Sequence, residues 1–275
     1  MTIRKIGPAG IPNLGLGTFK MDGDTPRRIV SAALAEGYRH IDTAQAYENE
    51  AEVGQGIRDA GVPRDQVFLT TKILPKDFAA DDFRRAAEQS LRDLGTDYVD
   101  LLLLHWPSRE VPLSETLPVL DRLIEEGKVR NGGVSNFTIA QLTEAQEILQ
   151  APVAANQIEF HPFIDQSKLL GFMQQRDMPF EAYSPLAQGK IMDEPVLSEI
   201  AEAHGVSEAE VTVAWILSKP GAVAIPKTAK EKRLGSNLAA AELQLSADEI
   251  ARIDGLARPD GRIVSPDSLA PDWDD

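Results

Sequence analysis

Short apolar runs alternate with longer amphipathic segments along the chain. Eight of the runs are typical of β-strands, and the run 99–104 is apolar apart from one aspartate, as expected for a strand covered on both faces. The segment 83–94 carries apolar residues at the helical period and stops at Gly95, a typical residue for a helix C-terminus. The predicted strands are 14–19, 38–42, 67–72, 98–105, 129–135, 153–158, 179–183 and 223–226, and further helices are predicted to begin near Thr25, Asn49, Ser114, Thr138, Asp165, Pro195 and Ala229.

The order of these elements predicts the fold. Eight strands, each followed by a helix, are typical of a (β/α)8 TIM barrel, and one such domain fits the 275 residues, with 260–275 as a polar C-terminal tail. The alternative is a doubly wound parallel sheet, which would carry a Gly-x-Gly-x-x-Gly turn after its first strand. Gly15 and Gly17 match two of those glycines, but Lys20 stands where the third should be. We therefore expect a single-domain α/β barrel over 1–275.

Polar residues recur at the ends of the predicted strands. In a barrel the C-terminal ends of the strands meet at one face, and the catalytic groups of barrel enzymes lie there. The residues in these positions are, in order, Lys72, His105, Ser135, Gln157, Tyr183 and Lys227. Their placement predicts a functional site at that face.

Four residues, Asp42, Tyr47, Lys72 and His105, carry the most informative chemistry. The ordinary pKa of a phenol is about 10, and a neighbouring ammonium favours the phenolate and lowers that pKa. Lys72 can play this part for Tyr47, and Asp42 can keep the ammonium protonated and in place. The set predicts a general-acid assembly that protonates an oxyanion as it forms.

Composition and charge exclude several other classes of function. The net charge of −15 argues against nucleic acid or an anionic membrane as a partner, since either would be repelled. The chain has no cysteine, which excludes disulfides and thiolate chemistry, and no run is long enough to span a membrane. Its four histidines lack metal-site spacing, so no metal is expected. The start lacks the apolar region of a signal peptide, and we expect a cytoplasmic, monomeric protein.

The motifs around these residues resemble the signature of the aldo-keto reductase family. The resemblance covers nearly the whole chain, and the ending 262–273 is similar to the bacterial 2,5-diketo-D-gluconate reductase B subgroup. It implies NADPH-dependent reduction of an aldehyde or ketone to an alcohol, with His105 hydrogen-bonded to the carbonyl oxygen. The matching segments are 42–47 (Asp-Thr-Ala-Gln-Ala-Tyr), 71–72 (Thr-Lys), 104–107 (Leu-His-Trp-Pro), 133–137, 156–159, 183–186 and 225–228.

The resemblance also implies a site for the nicotinamide cofactor. The carboxamide would bond to Ser135, Asn136 and Gln157, and the ring would stack on Tyr183. The ribose and pyrophosphate path would be lined by Gly17, Thr18, Ser184, Leu186, Gln188 and Gly189. The adenosine 2′-phosphate would be bound by Lys227, Thr228 and Arg233, with the adenine near Asn237. This set predicts NADPH rather than NADH as the cofactor.

The segment 221–228 nearly matches a phosphate-binding P-loop, but the match fails at one position. Pro226 stands where the second glycine should be. A proline has no amide hydrogen and fixes φ, so the loop cannot form the phosphate cradle. We therefore reject a nucleotidase.

Phe19 and Trp106 are the predicted walls of the substrate pocket. Many members of the family have tryptophan at the position of Phe19, and the short tail predicts an open pocket. We expect small or polar carbonyl compounds as substrates: 2,5-diketo-D-gluconate-like keto acids, methylglyoxal-like dicarbonyls and short aldehydes. Two alternatives stay open at this point. One is a Schiff-base lyase or aldolase with Lys72 as the nucleophile, and the other is a non-catalytic NADPH-binding regulatory protein.

Overall fold

Eight parallel strands form the barrel that the sequence predicts, in the order in which they occur along the chain. The structure is a computed structural model and describes residues 3–274. Backbone hydrogen bonds join the last strand to the residues just before the first, from Gly15 N to Ala224 O (2.9 Å) and from Ala224 N to Asn13 O (2.9 Å), and close the barrel. The barrel strands are β3 (Leu16–Gly17), β4 (His40–Asp42), β5 (Phe68–Ile73), β6 (Leu101–Leu104), β7 (Gly132–Ser135), β8 (Asn156–Glu159), β9 (Phe180–Tyr183) and β10 (Ala222–Ala224).

A short antiparallel hairpin, β1 (Lys5–Ile6) and β2 (Ile11–Pro12), precedes the barrel. Its Ile11 is fully buried and packs with apolar side chains of the barrel strands, including Leu101 and Leu103. The hairpin therefore covers the N-terminal end of the barrel. The sequence analysis missed it because two-residue strands carry no readable alternation.

Helices surround the strands and bury their apolar faces against them. All the predicted helices are present, but α9 begins at Leu234, five residues after the predicted start at Ala229, because a 3-10 turn over Glu231–Arg233 comes first. The helices are α1 (Thr25–Glu36), α2 (Glu50–Asp59), α3 (Ala80–Leu94), α4 (Leu113–Glu125), α5 (Ile139–Ile148), α6 (Ser167–Gln174), α7 (Pro195–His204), α8 (Glu208–Leu217), α9 (Leu234–Ala239) and α10 (Ala247–Asp254).

Two of these helices, α8 and α10, were not predicted from the sequence. Every residue of α8 from Val211 to Leu217 is buried, so its apolar positions show no helical period. A capping box at Ser207 and Glu210 starts α8, and a second one starts α10. These boxes were the readable signal. No helix within residues 3–274 is long and apolar enough to cross a membrane.

The interior of the barrel has an apolar layer and a polar layer. The apolar layer lies toward the N-terminal ends of the strands and includes Phe68, Leu101, Leu103 and Val223. Toward the C-terminal ends the inward positions are polar, because alternate residues of one strand share a face. This layer holds charged side chains, and the site is built on it.

Helices α2 and α3 approach closely enough to require a glycine. A Cβ atom at Gly54 would lie 2.0 Å from the carbonyl oxygen of Leu94, far inside van der Waals contact. Both groups belong to helix backbones, so neither can move aside cheaply. The position therefore fixes the distance between the two helices.

We expect Gly54→Ala to lower the free energy of unfolding by at least about 2 kcal/mol, because the new methyl group forces the helices apart. Gly171, in α6, is the matched control, since a Cβ there meets no atom within 4 Å. Gly171→Ala should be neutral or stabilise the protein by up to about 1 kcal/mol. Urea denaturation measures both variants, and equal effects would contradict the packing described here.

Candidate active site

The ammonium group of Lys72 lies at the centre of the polar cluster. Its Nζ donates to Asp42 Oδ1 at 2.7 Å, to the backbone oxygen of Thr43 at 2.8 Å and to the Tyr47 hydroxyl at 3.3 Å. The Lys72 side chain is completely buried and that of Asp42 almost so. All three hydrogens of the ammonium are therefore used inside the protein.

The register of neighbouring strands explains why this lysine and aspartate meet. Strand β4 pairs Asp42 with Thr70 of β5. Lys72 lies two residues beyond Thr70, so both of these β5 side chains point to the same side of the strand. A shift of one residue would turn Lys72 into the helix layer. Tyr47 follows β4 in a 3-10 turn (Gln45–Tyr47) that brings its ring back over the strand ends.

His105 directly follows β6, and its amide donates to the backbone oxygen of Ile73 at 2.9 Å. Its ring packs edge-on against Tyr47, with the ring centroids 5.9 Å apart. Burial and the Lys72 cation lower the pKa of His105 to about 3. The imidazole is therefore neutral near pH 7, and it can act as a hydrogen-bond partner rather than as a cation.

The pKa of the Tyr47 phenol differs from the expectation drawn from the sequence. Burial raises this pKa, and the Lys72 cation opposes the rise without reversing it. The sequence indicates the neighbouring ammonium but not the loss of solvent around the phenol. Burial disfavours the Lys72 ammonium as well, but the neighbouring Asp42 and Tyr47 raise the pKa of Lys72 overall. Lys72 therefore stays charged.

A second buried carboxyl group lies beside this cluster. The Gln157 amide nitrogen donates to Asp42 Oδ2 at 2.8 Å and to Glu181 Oε2 at 3.0 Å. His40 Nε2 lies 3.6 Å from the other Glu181 oxygen. The sequence analysis missed Glu181 and took His40 only as a dispersed histidine. The alternation of strand residues could have found both, since His40 shares a face with Asp42, and Glu181 with Tyr183.

The three residues predicted to bind the carboxamide form one network with Tyr183. Ser135 Oγ donates to the backbone oxygen of Gln157 at 2.9 Å, and the Tyr183 hydroxyl donates to Asn136 Oδ1 at 2.7 Å. The Asn136 nitrogen donates to His105 O and to Ser135 Oγ, each at 3.1 Å. Asn136 holds a left-handed backbone with φ of 64°. The network joins the predicted cofactor residues to the histidine of the site.

The geometry of these residues fits a nicotinamide amide. Both N–H groups of Gln157 are used by carboxyl oxygens, and within residues 3–274 its carbonyl oxygen has no donor. That oxygen can accept from a carboxamide NH2 group, and Asn136 Oδ1 keeps a second lone pair for the same purpose. The network therefore offers acceptors where an amide ligand needs them.

The residues predicted to line the ribose and pyrophosphate path lie at the same end of the barrel. Gly17 ends β3, and a Cβ atom there would lie 2.9 Å from the backbone oxygen of Ile225. Thr18 is buried, and its hydroxyl donates to the Asp42 backbone oxygen at 3.0 Å. The remaining members follow β9 on a loop, where Gln188 has a left-handed backbone. Those members are Ser184, Leu186, Gln188 and Gly189.

The predicted 2′-phosphate residues follow β10. Lys227 and Arg233 are exposed, and within residues 3–274 neither side chain forms an ion pair with a carboxylate. Thr228 and Asn237 are buried, and the Thr228 hydroxyl accepts from the Lys230 amide at 3.2 Å. Two available cations therefore stand beside the barrel mouth of an acidic protein.

The predicted pocket walls stand on two sides of Tyr47. Phe19 is 50% exposed, and its ring centroid lies 5.1 Å from that of Tyr47. Trp106 is buried, and its centroid lies 6.3 Å from that of Trp273 in the C-terminal tail. The tail thus returns to the mouth of the barrel. The prediction of an open pocket from the short tail missed this second indole.

A buried carboxylate at the end of β8 holds the tail in place. Glu159 accepts hydrogen bonds from the amides of Ile263 (2.8 Å) and Val264 (3.0 Å). His161 Nε2 contacts the same carboxylate at 2.9 Å, so this histidine makes a structural hydrogen bond. In the sequence, Glu159 is marked only by its place in the matching segment 156–159, which does not indicate this role.

The closed barrel and the polar cluster at its mouth define a (β/α)8 enzyme whose site is built around a buried lysine. The chain belongs to the aldo/keto reductase family, whose model matches residues 10–258. It is accordingly an oxidoreductase enzyme, and aldo-keto reductases use NAD(P)H.

Individual proteins of known sequence or structure are also similar to this chain. The chain is 43% identical over 267 residues to the methylglyoxal reductase DkgB of Yersinia pestis, covering 96% of this chain and 99% of that protein. It is 38% identical over 269 residues to the glyoxal reductase of Bacillus subtilis, covering 98% of this chain and 97% of that protein. A crystal structure of a protein provisionally assigned as a 2,5-diketo-D-gluconic acid reductase B is 44% identical, with a TM-score of 0.98 over 100% of this chain and 98% of that one.

Proposed function

We propose that this protein reduces aldehydes and ketones to alcohols with NADPH, and that Tyr47 is the general acid. The contact that supports this most strongly is the 3.3 Å hydrogen bond from Lys72 Nζ to the Tyr47 hydroxyl. It places a permanent cation beside the one acidic hydroxyl of the cluster. A phenol with such a neighbour can give up a proton at far lower cost than a buried phenol alone.

The roles of the residues follow from the needs of the reaction. NADPH, when bound, supplies the hydride that reaches the carbonyl carbon. Negative charge then develops on the carbonyl oxygen, and the Tyr47 hydroxyl donates its proton there. The Lys72 ammonium stabilises the phenolate that remains, and Asp42 keeps the ammonium charged and fixed at 2.7 Å. Neutral His105 donates a hydrogen bond to the same oxygen and orients the substrate.

The Schiff-base lyase or aldolase fits this site poorly. A lysine nucleophile must be neutral, whereas Asp42 and Tyr47 raise the pKa of Lys72. All three of its hydrogens are also engaged, and an ammonium has no lone pair with which to attack a substrate carbonyl. The non-catalytic regulatory protein is disfavoured because the relatives are named as reductases.

Small dicarbonyls and polar keto acids are the substrates we propose. The two relatives above are named for methylglyoxal and glyoxal, and the structural neighbour for 2,5-diketo-D-gluconic acid. In this chain aromatic side chains stand at the mouth of the barrel, with Phe19 against Tyr47 and Trp106 against Trp273. The cytoplasmic location and the monomeric state stay predictions.

NADPH is preferred over NADH in this proposal because of the exposed cations after β10. The 2′-phosphate carries negative charge that the acidic surface of this protein would otherwise repel. Lys227 offers a point charge, and Arg233 offers a planar fork that suits a phosphate. NADH has a hydroxyl in place of this phosphate and offers neither side chain an anion at that position.

We expect Tyr47→Phe to lower kcat/KM for methylglyoxal reduction by at least about 100-fold, because the proton donor is lost. The dissociation constant for NADPH, measured by quenching of protein fluorescence, should stay within about threefold, since the phenol takes no part in cofactor binding. Tyr98→Phe is the control, because this residue lies at the other end of β6 and packs between Arg64 and Arg130. A Tyr47→Phe enzyme with wild-type turnover would refute the assignment.

The double variant Lys227→Gly with Arg233→Ala should raise the KM for NADPH roughly 100-fold, because two charge-assisted contacts are lost. The KM for NADH should change less than about threefold. Lys232→Ala, which removes an exposed cation from the same turn, should leave both constants nearly unchanged. Steady-state kinetics with the two cofactors measure the ratio, and equal changes for NADPH and NADH would exclude the phosphate site.

A further inference from the structure

Glu181 and His40 form a buried titratable pair that the proposed mechanism does not use. Both side chains are completely inaccessible, and Glu181 Oε1 lies 3.6 Å from His40 Nε2. A charge so deep in a barrel is costly unless it is paired or neutralised. The protonation state of the pair therefore bears on the charges of the site next to it.

The contacts of His40 determine which of its nitrogens carries the proton. Its Nδ1 lies 3.3 Å from the backbone oxygen of Pro12, and a carbonyl oxygen can only accept, so Nδ1 carries hydrogen. Burial lowers the pKa of His40 to about 4, which leaves the ring neutral and Nε2 as an acceptor. Nε2 therefore accepts from the Thr70 hydroxyl at 3.1 Å, and Glu181 Oε1 lies 3.6 Å from Nε2 as a buried oxygen without a hydrogen-bond partner within residues 3–274.

The backbone is shaped to hold this imidazole. A Cβ atom at Gly15 would lie 2.8 Å from the His40 ring, so any other residue at position 15 would displace the histidine. The ring also packs edge-on against Phe68, with centroids 5.2 Å apart. His40 therefore cannot turn away from Glu181.

The second oxygen of Glu181 belongs to the network of the site. It accepts from the Gln157 amide nitrogen at 3.0 Å, and the same nitrogen donates to Asp42 at 2.8 Å. Two carboxyl groups on one nitrogen hold the amide in one orientation, with its carbonyl oxygen turned away from both. If Glu181 were ionised, however, its negative charge would face the Asp42 carboxylate with only the Gln157 amide group between them.

We propose that Glu181 is a positioning residue that works in its protonated form, giving its proton to the His40 side and holding the Gln157 amide on Asp42. In this state Oε1 carries the hydrogen on the side that faces His40, and Oε2 is the carbonyl oxygen that Gln157 needs. The charges of the site then balance, because Lys72 and Asp42 cancel. The inference rests on the proposed function, since it concerns the same site.

The surroundings of Glu181 agree with a neutral acid. Strand β4 presents His40 and Asp42, β5 presents Lys72, β8 presents the neutral Gln157, and the paired residue of β10 is the apolar Val223. Burial, and after it the Asp42 charge, raise the pKa of Glu181 to about 8. As the pH rises through that range, Glu181 loses its proton and adds a negative charge beside the Lys72 ammonium.

That added charge has a direct consequence for catalysis. It weakens the positive field with which Lys72 stabilises the Tyr47 phenolate, so proton donation becomes harder. The kcat for reduction with saturating NADPH should therefore fall by up to about tenfold between pH 7 and pH 9. Glu181→Gln keeps the acceptor for Gln157 but cannot ionise. It should retain at least about a third of the kcat at pH 7 and lose most of the alkaline fall.

Two other variants separate position from charge. Glu181→Leu removes the acceptor, and we expect it to raise the KM for NADPH at least about tenfold, while Glu181→Gln raises it much less. Glu50→Gln is the matched control, because burial raises the pKa of this carboxyl too, but Glu50 contacts Thr71 on the outer side of β5. Glu50→Gln should show the same fall in kcat between pH 7 and pH 9 as the wild type.

The deciding measurement needs neither cofactor nor substrate. Infrared difference spectra of wild type against Glu181→Gln should show a protonated carboxyl C=O band at pH 6 that disappears near pH 8, and Glu50→Gln should keep it. Absence of that band at pH 6, or an alkaline fall unchanged in Glu181→Gln, would overturn the inference. If Glu181→Gln does not fold, the carboxyl band that remains in Glu50→Gln, and its loss near pH 8, still decide.

These outcomes are distinct from failure of the proposed function. A wild-type protein that oxidises no NADPH with any carbonyl compound would refute the reductase proposal, while the infrared band would still report on Glu181. An active wild type with no band would refute only the role of Glu181.

Discussion

The buried ion pair between Lys72 and Asp42 is the interaction on which the rest of the site depends. Two opposite charges, 2.7 Å apart and out of water, stabilise each other only if the remaining polar atoms around them also have partners. Here the ammonium also donates to Thr43 O and to Tyr47, and Asp42 accepts from Gln157. Removal of one partner would leave a bare charge in the barrel, so the pair holds its neighbours in one arrangement.

The barrel makes this arrangement possible by dividing its interior. Apolar side chains such as Leu101 and Leu103 fill the N-terminal half, and the hairpin residue Ile11 covers it. Inward positions near the C-terminal ends are free to be polar, and they come from β4, β5, β8 and β9. Burial away from water disfavours the charged forms of these groups, which is why the pKa values of His105 and His40 fall and that of Glu181 rises.

Much of this could be read from the sequence, and the failures have physical causes. Apolar runs and helical periods predicted the eight strands and most helices, since these patterns report burial directly. Helix α8 escaped because it is buried all round, and β1 and β2 because two residues carry no pattern.

At the site, the residue types predicted the cluster around Lys72, but not the direction in which the pKa of Tyr47 moves. That direction depends on solvent exclusion, which no short motif records. Glu181 was missed because its partner across the barrel, Asp42, is 139 positions away in the chain, and only closure of the barrel brings the two to the same amide. The tail showed the same limit, since its anchor on Glu159 joins segments about a hundred residues apart.

The most direct test of the account is the pKa of the Tyr47 phenol with and without the ion pair. Tyrosinate absorbance can be titrated in the wild type and in the double variant Lys72→Met with Asp42→Asn, which leaves no unpaired charge. The same titration of each protein with Tyr47→Phe added gives the signal of the other tyrosines, which is subtracted. Because Lys72 lowers this pKa by more than Asp42 raises it, the account predicts a higher pKa in the variant. An equal or lower pKa would contradict the claim that Lys72 makes Tyr47 an acid.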